Sequence, residues 1–317
     1  MKHALISGSG SYLPEQLVSN IDLESKLDTT HEWIFSRTGI CNRHIAAEHE
    51  TTSFMAGQAA YQAVQAAGLT SDEIDLILVA TCTPDHFFPS VACHVQRALQ
   101  MTRSIPAFDI SAACSGFVYA LDIARQYIHS EAAKHVLVVG SESMSRAVNW
   151  SDRSTCILFG DGAGALVISA SDRPGIVSSV IHSSFDQDGF LNYPTDGKDG
   201  HKSLVSMRGN EVFKLAVTIM GDVVDEVLTL ANLKQSDIDW LVPHQANIRI
   251  IKAIAKKLAL PMSQVILTIE NQGNTSAASI PLALDVSIRE QKIKRGDLLL
   301  LESFGGGMTW GAMLVRY

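Results

Sequence analysis

Two stretches of this chain repeat one another, and that repetition limits the folds open to it. GLTSDEIDLILVAT (residues 68–81) and NLKQSDIDWLVPHQ (232–245) each run from a helix end through a Ser-Asp turn and an Ile-Asp pair into an apolar strand. Ile74-Asp75 matches Ile238-Asp239, and the strands follow in register. A second, weaker echo joins FGDGAGALVIS (159–169) to FGGGMTWGAMLV (304–315), each a glycine-rich turn leading into an apolar strand. Two echoes in the same order, far apart, favour a duplicated fold over a short-period solenoid. A length of 317 residues also suits two units. The division they imply is 1–171 and 172–317.

Between the echoes, helical and strand patterns alternate. ETTSFMAGQAAYQAVQAAG (50–68) is an alanine-rich helix ending at Gly68, while HVLVVGSES, CILFGDG and VILTIEN read as short buried strands. Such alternation predicts an α/β protein with helices covering largely parallel strands. Apolar residues at 46% and charged residues at 18% describe a well-buried globular chain. A net charge of −8 argues against a general nucleic-acid binder. MKHALISGSG lacks the apolar run of a signal peptide, and DLILVA and DLLLLES fall far short of the ~20 residues of a membrane helix. The expected location is the cytoplasm. Residues 183–203 are rich in turn formers and read as an exposed excursion.

The five cysteines are Cys41, Cys82, Cys93, Cys114 and Cys156, an odd number with no C-x-x-C. That disfavours a disulfide framework and a structural zinc site. His86 and His94 lie near Cys82 and Cys93, but the spacing fits no usual metal pattern. Cys114 stands apart, in FDISAACSGF (108–117). IPAFDI reads as a strand, and Phe117, Leu121, Ala124 and Ile128 share a helical face, so Cys114 falls at a strand-to-helix turn. With Ser111 as N-cap it would sit in the first helical turn, where the helix end favours thiolate and lowers the thiol's pKa. Small neighbours leave room for a substrate. Two readings stand open: an inert buried cysteine, or a nucleophile awaiting partners.

Of the eleven histidines, His244 is singled out by its place just after the strand DWLV, in VPHQAN. Strand ends in α/β folds gather functional groups, although a satisfied structural histidine fits there equally well. Asn274, in ENQGNTSAASIP after the presumed strand VILTI, is either an Asx turn or an amide donor aimed at a carbonyl. SFGGGMTWG (303–311) lets backbone N–H groups approach a ligand. Neither glycine run opens a helix as G-x-G-x-x-G, so a dinucleotide site is rejected.

Taken together, SYLPE, EWIFSRTGI, FPS, PAFD, AACSGF, FGDGAGA, GNEVFK, WLVPHQAN, GNTSAAS and FGGGMTWG resemble, in order and across the whole chain, the β-ketoacyl-acyl-carrier-protein synthase III family of thiolase-fold condensing enzymes. The resemblance implies a thiolase-like five-layer α/β/α/β/α sandwich built from two duplicated halves, usually as a homodimer. It implies that a short acyl-CoA, with malonyl-acyl carrier protein, gives β-ketoacyl-carrier protein, CoA and carbon dioxide. A paralogue with the same mechanism and another acyl primer is the alternative. On this reading Cys114 carries the acyl group, and His244 and Asn274 donate hydrogen bonds to the malonyl thioester oxygen. Gly306 would help hold the oxyanion and Phe304 would wall the site. Trp33 and Arg153 would flank the adenine of CoA, with Arg37 on its phosphates and Gly209 and Asn247 along the pantetheine tunnel. No metal or redox cofactor is expected, acyl-CoA being a substrate.

The helix NIRIIKAIAKKLAL (247–260) presents Ile248, Ile251, Ala255 and Leu258 on one face and Arg249, Lys252, Lys256 and Lys257 on the other. By itself the basic face is as readily an ordinary solvated surface. The resemblance makes it the dock for acyl carrier protein, involving Gln245, Ala246, Asn247, Ile248, Arg249, Lys256 and Lys257, with Lys214 nearby. His31 departs from the family by standing where an acidic residue is usual before Glu-Trp-Ile, beside the implied CoA mouth. Ser111 and Ser115 replace alanines of some relatives. Phe88 resembles the residue that reaches across the dimer to bound the primer pocket, and its bulk implies a short, straight primer such as acetyl.

Overall fold

The computed structural model describes residues 2–194 and 203–317. The chain opens with β1 (His3–Tyr12), β2 (Gln16–Ser19), α1 (Asn20–Glu24), α2 (His31–Thr38) and β3 (Asn42–Ile45). Next come α3 (Thr52–Ala66), β4 (Leu76–Ala80), α4 (Val91–Ala98) and β5 (Ala107–Ile110). α5 (Gly116–His129), β6 (His135–Ser143) and β7 (Asp161–Ser171) follow. β8 (Ile176–Ser183), β9 (Leu191–Asn192), β10 (Ser206–Met207) and α6 (Gly209–Ala231) lead into the C-terminal part. There stand β11 (Trp240–Pro243), α7 (Ile248–Lys257), α8 (Ile269–Gln272), α9 (Ser279–Arg289), β12 (Leu298–Gly305) and β13 (Thr309–Arg316).

Two sheets carry the architecture. One has the order β1-β7-β6-β4-β5 and the other β8-β13-β12-β11, and their pairings run in the same senses. Helices α3 and α4 cover the outer face of the first sheet, and α6 and α7 the outer face of the second. Between the sheets lie α5 and α9, buried on both sides. The result is the five-layer α/β/α/β/α stack that the sequence implied.

The Ile-Asp echo has a physical cause. Asp75 donates its N–H to the His135 carbonyl (2.8 Å), and its carboxylate accepts the N–H groups of Lys134 and His135 at 2.8 and 3.1 Å. Asp239 donates to the Leu298 carbonyl (2.9 Å) and accepts the Leu298 N–H at 2.7 Å. Each aspartate pins the start of one parallel strand to the start of its neighbour, β4 to β6 and β11 to β12. The isoleucine before each aspartate is buried.

Two strands expected from the sequence are absent. VILTI pairs only at Val265, through a single bridge to Leu241. Beyond it, Gln245 Oε1 takes the N–H groups of Thr268 (2.9 Å) and Ile269 (3.2 Å), and the chain turns into α8. The segment CILFGDG forms turns through Leu158, and its strand begins only at Asp161. The excursion 183–203 returns in part as the β9–β10 ribbon, where Leu191 pairs with Met207. Residues 195–202 of that excursion lie outside the described residues.

Candidate active site

Cys114, His244 and Asn274 line one cavity of about 310 Å³. It runs from buried groups at one end to the exposed Arg37, Ser154 and Arg249 at the other. Leu191, Met207, Val212, Phe213 and Met220 supply an apolar wall, and Phe304 joins them.

Cys114 sits in a 3₁₀ turn, Ala113–Ser115, between β5 and α5. Ser111 does not cap the helix. Ser115 holds the turn instead, its hydroxyl donating to the Ala112 carbonyl (2.8 Å) with Thr309 Oγ1 2.6 Å away. Ala113 adopts φ 45°, a left-handed conformation uncommon outside glycine. Gly305 passes so close that a Cβ there would stand 2.7 Å from the Cys114 nitrogen, so only glycine fits. Gly306, one residue on, faces Leu191, and its N–H has no partner among the described residues. Burial pushes the Cys114 thiol up to about 11, with Glu142 adding to the rise and Ser276 and the turn's own N–H opposing it. The lowered pKa expected from the helix end is therefore not found: the field of one helix terminus is smaller than the desolvation of a thiolate.

His244 follows β11, with its N–H bonded to the Glu302 carbonyl (2.8 Å). Its Nδ1 lies 2.7 Å from the Ser279 hydroxyl at the start of α9. That hydroxyl also accepts the Gln245 N–H (3.3 Å); when its own proton turns to His244 Nδ1, the imidazole proton stands on Nε2. Burial lowers the imidazole pKa to about 3, so the ring stays neutral. Asn274 follows α8, not a strand. Its backbone is tied to Leu158 and Gly160 at 2.8 and 3.0 Å, and its Oδ1 accepts the Ser276 N–H at 2.9 Å. With the carbonyl spent, the amide NH₂ is left as donor.

The open end is built by α2. Two guanidinium groups lie over the Trp33 ring, Arg37 at 4.5 Å and Arg153 at 4.9 Å from its centroid. Arg153 also pairs with Asp28 at 3.7 Å. Gly39 ends α2 at φ 76°, and a Cβ there would strike Ile248, so glycine lets α2 close on α7. Asn247 caps α7, accepting the Arg249 N–H at 2.8 Å, and Gly209 opens α6; both line the cavity. His31 stacks on Phe35 one turn along α2.

The two family models that match are described as 3-oxoacyl-[acyl-carrier-protein] synthase III, over residues 108–185, and its C-terminal part, over 228–317. A β-ketoacyl-[acyl-carrier-protein] synthase III of Coxiella burnetii is 54% identical over 319 residues, covering 100% of each chain. The chain belongs to the 3-oxoacyl-[acyl-carrier-protein] synthase III family. The synthase III of Neisseria meningitidis serogroup B is 55% identical over 320 residues, again across 100% of both chains. The crystal structure of the Aquifex aeolicus synthase III matches with a TM-score of 0.95 at 49% identity, covering 99% of this chain and 100% of that one. Membership makes the protein a condensing acyltransferase of the thiolase fold.

Several residues singled out for the synthase III site lie outside its cavity. Phe88 is 87% exposed beside Phe87 at 88%, on a loop anchored where Asp85 caps α3 and Asp109 caps α4. Lys257 pairs with Asp222 at 3.2 Å, and Lys214 and Lys256 do not line the cavity. Ile248 packs at Gly39. Gln245 is corrected: it is 1% exposed, and its amide is consumed by Pro243, Ile266, Thr268 and Ile269, so its side chain is a strut and not a docking contact. Conversely, the polar shell of Ser276, Ser279, Glu142 and Glu302 was missed. The serines lie in NTSAAS, two and five residues past Asn274, and that spacing from a candidate donor was the available signal. Among the described residues no group of three or more His, Cys, Asp and Glu side chains is arranged to hold a metal ion, and no helix is long and apolar enough to cross a membrane.

Proposed function

We propose that this chain joins a short acyl group from acyl-CoA to malonyl-acyl carrier protein, releasing CoA and carbon dioxide, as the initiating condensation of fatty-acid synthesis. One observation carries the reading: a neutral imidazole on His244 and a free amide NH₂ on Asn274 share a cavity with the Cys114 thiol. Cys114 takes the acyl group as a thioester, dividing a difficult transfer into two steps. Loss of carbon dioxide from the malonyl group leaves an enolate, and two fixed donors there are each worth about 3–4 kcal/mol. The carbanion then attacks the acyl-Cys114 carbonyl. The N–H groups of Cys114 and Gly306 take the oxyanion.

Coenzyme A enters at the Trp33 end, with Arg37 and Arg153 serving its adenine and phosphates, since guanidinium groups both stack and bind phosphate. Arg249, which rests on Phe213 at 5.4 Å, leads the carrier-protein dock with Lys256, Lys214 and the Ala246–Ile248 backbone. The protein acts as a cytoplasmic homodimer in which Phe87 and Phe88 are covered by a second copy, Phe88 bounding the primer pocket. It uses no metal or redox cofactor. Light scattering of the purified chain checks the dimer. The reaction is tested by incubating the enzyme with acetyl-CoA and malonyl-carrier protein. An acetyl adduct on Cys114 and stoichiometric carbon dioxide are expected, and no adduct with any short acyl-CoA would sink the reading.

A further inference from the structure

Asn274 serves as a donor only while its side-chain amide is turned one way. Its Oδ1 accepts the Ser276 N–H at 2.9 Å, which leaves the NH₂ as the free end. Turned by 180°, the amide would set NH₂ against N–H and offer its oxygen to the cavity, where a developing enolate would be repelled. The orientation therefore depends on where the Ser276 N–H points, and so on the Ser276 backbone. That backbone is unusual. Ser276 opens the 3₁₀ turn Ser276–Ala278 at φ 50°, in the left-handed region that residues other than glycine rarely adopt.

The end of β6 holds the turn there. Gly140 lets the turn lie against the strand, since a Cβ at Gly140 would stand 2.4 Å from the Ala277 carbonyl oxygen. Two residues on, Glu142 Oε1 accepts a hydrogen bond from the Ser276 hydroxyl at 3.0 Å. Glu142 is itself fixed. It is fully buried, and its Oε2 takes Thr83 Oγ1 at 2.6 Å, the Cys82 N–H at 3.1 Å and Thr81 Oγ1 at 3.2 Å. A carboxyl group is costly to bury, and the condensation described above gives this one no task of its own. Neither Glu142 nor Ser276 is among the residues that line the cavity.

We infer that Glu142 is a positioning residue for Asn274 and acts through Ser276. Its carboxylate holds the Ser276 backbone at positive φ, and the Ser276 N–H holds the Asn274 amide with its NH₂ toward the malonyl thioester oxygen. Each link is a hydrogen bond, Ser276 Oγ to Glu142 Oε1 and Ser276 N–H to Asn274 Oδ1. The role rests on the enolate-stabilising part given to Asn274 above.

Two substitutions at one position separate the backbone from the hydroxyl. Ser276→Ala and Ser276→Gly both delete the hydroxyl, but alanine is driven out of the left-handed region and glycine occupies it freely. Quenched-flow mass spectrometry of the full-length protein follows Cys114 acylation by acetyl-CoA and then, once Cys114 is charged, condensation with malonyl-carrier protein. Charged Ser276→Ala should condense about 5- to 30-fold more slowly than wild type, and Ser276→Gly less than about threefold more slowly. Glu142→Ala should match Ser276→Ala. Glu142→Gln should recover most of the rate, because its Oε1 can keep Thr83, Thr81 and Cys82 while its NH₂ donates to the Ser276 hydroxyl. On an Asn274→Ala background, Ser276→Ala should cost less than about a further twofold, since no amide remains to be positioned. Equal rates for Ser276→Ala and Ser276→Gly would overturn the inference, for the hydroxyl would then act directly or not at all. So would the full Ser276→Ala loss on the Asn274→Ala background, the mark of a merely structural role, or a folded Glu142→Ala that condenses like wild type. Should Glu142→Ala fail to fold, the Ser276 pair and the Asn274 cycle decide the matter. Wild-type condensation by Asn274→Ala alone would instead overturn the functional reading, and the positioning role with it.

Discussion

The two sheets carry the same frame and different chemistry. Counting from the Ile-Asp pairs, Ala80 at the end of β4 corresponds to His244 after β11. The buried Val139, level with Val79, corresponds to Glu302, level with Pro243. Each central helix is entered through a 3₁₀ turn, Ala113–Ser115 before α5 and Ser276–Ala278 before α9, and each turn begins with a residue at positive φ, 45° and 50°. The second position of the turn is Cys114 in one half and Ala277 in the other. Duplication thus supplies two like platforms facing one cavity. On the proposed function the N-terminal one bears the nucleophile, and the C-terminal one bears donors for the other substrate.

This division of labour breaks most completely at Cys114. Cys114→Ala should form no acyl adduct and lose at least about 10³-fold in condensation, with Tm changed by only a few degrees. Adding Ala277→Cys to that variant should restore nothing, since the thiol would then stand on the platform of the wrong half. Recovery of an adduct would show that the two turns are interchangeable. His244→Ala and Asn274→Ala come next. Each should lower condensation about 10²–10³-fold while Cys114 still acylates, which separates the two half-reactions by the two halves of the chain. Parallel loss of acylation in Asn274→Ala would merge them.

How far this was legible depends on how local each cause is. The echo could be read because Asp75 and Asp239 act on the first bond of the strand that follows them. Cys114 could be placed at a helix start from the Phe117–Ile128 periodicity alone. Its ionisation could not, because burial is set by residues from both halves. VILTI looked like a strand because an apolar run does not record that Gln245, twenty residues earlier, takes the N–H groups of Thr268 and Ile269. Ser276 and Glu142 are distant in sequence, and GSES carries no sign that its glutamate ends beside a thiol.

A smaller effect is expected at Ser279, whose hydroxyl holds His244 Nδ1 at 2.7 Å. Ser279→Ala frees Nδ1 and removes two buried hydrogen bonds, to His244 and to the Gln245 N–H, at a cost of about 1–3 kcal/mol. If about half of that falls on the transition state, condensation drops about 2- to 12-fold. Acylation of Cys114 should stay nearly unchanged, because the proposed function places His244 at the malonyl group. Equal slowing of both half-reactions, measured by the same quenched-flow assay, would show that the histidine is shared between the platforms.

The smallest effect expected on turnover, with its signature in stability, lies at Glu302, where one half has a carboxyl and the other has valine. Burial pushes the Glu302 carboxyl up to about 8, its Oε2 has no hydrogen-bond partner, and it is 2% exposed at the cavity wall. The folded protein therefore keeps it neutral at pH 7, whereas an unfolded chain ionises it above about 4.3. A folded pKa raised above the unfolded one gives stability that is fully present below pH ~4.3 and is lost as pH rises to about 8. Each pH unit in that window removes up to ~1.4 kcal/mol. Glu302→Gln keeps the shape and cannot ionise, so its Tm should gain on the wild type by several degrees between pH 5 and 8. Differential scanning calorimetry of both proteins across that range checks it. Parallel curves would mean that Glu302 is ionised in the folded protein and paired with a group from the cavity. The corresponding Val139 offers no such titration, and Val139→Ile should shift both ends of the pH range alike.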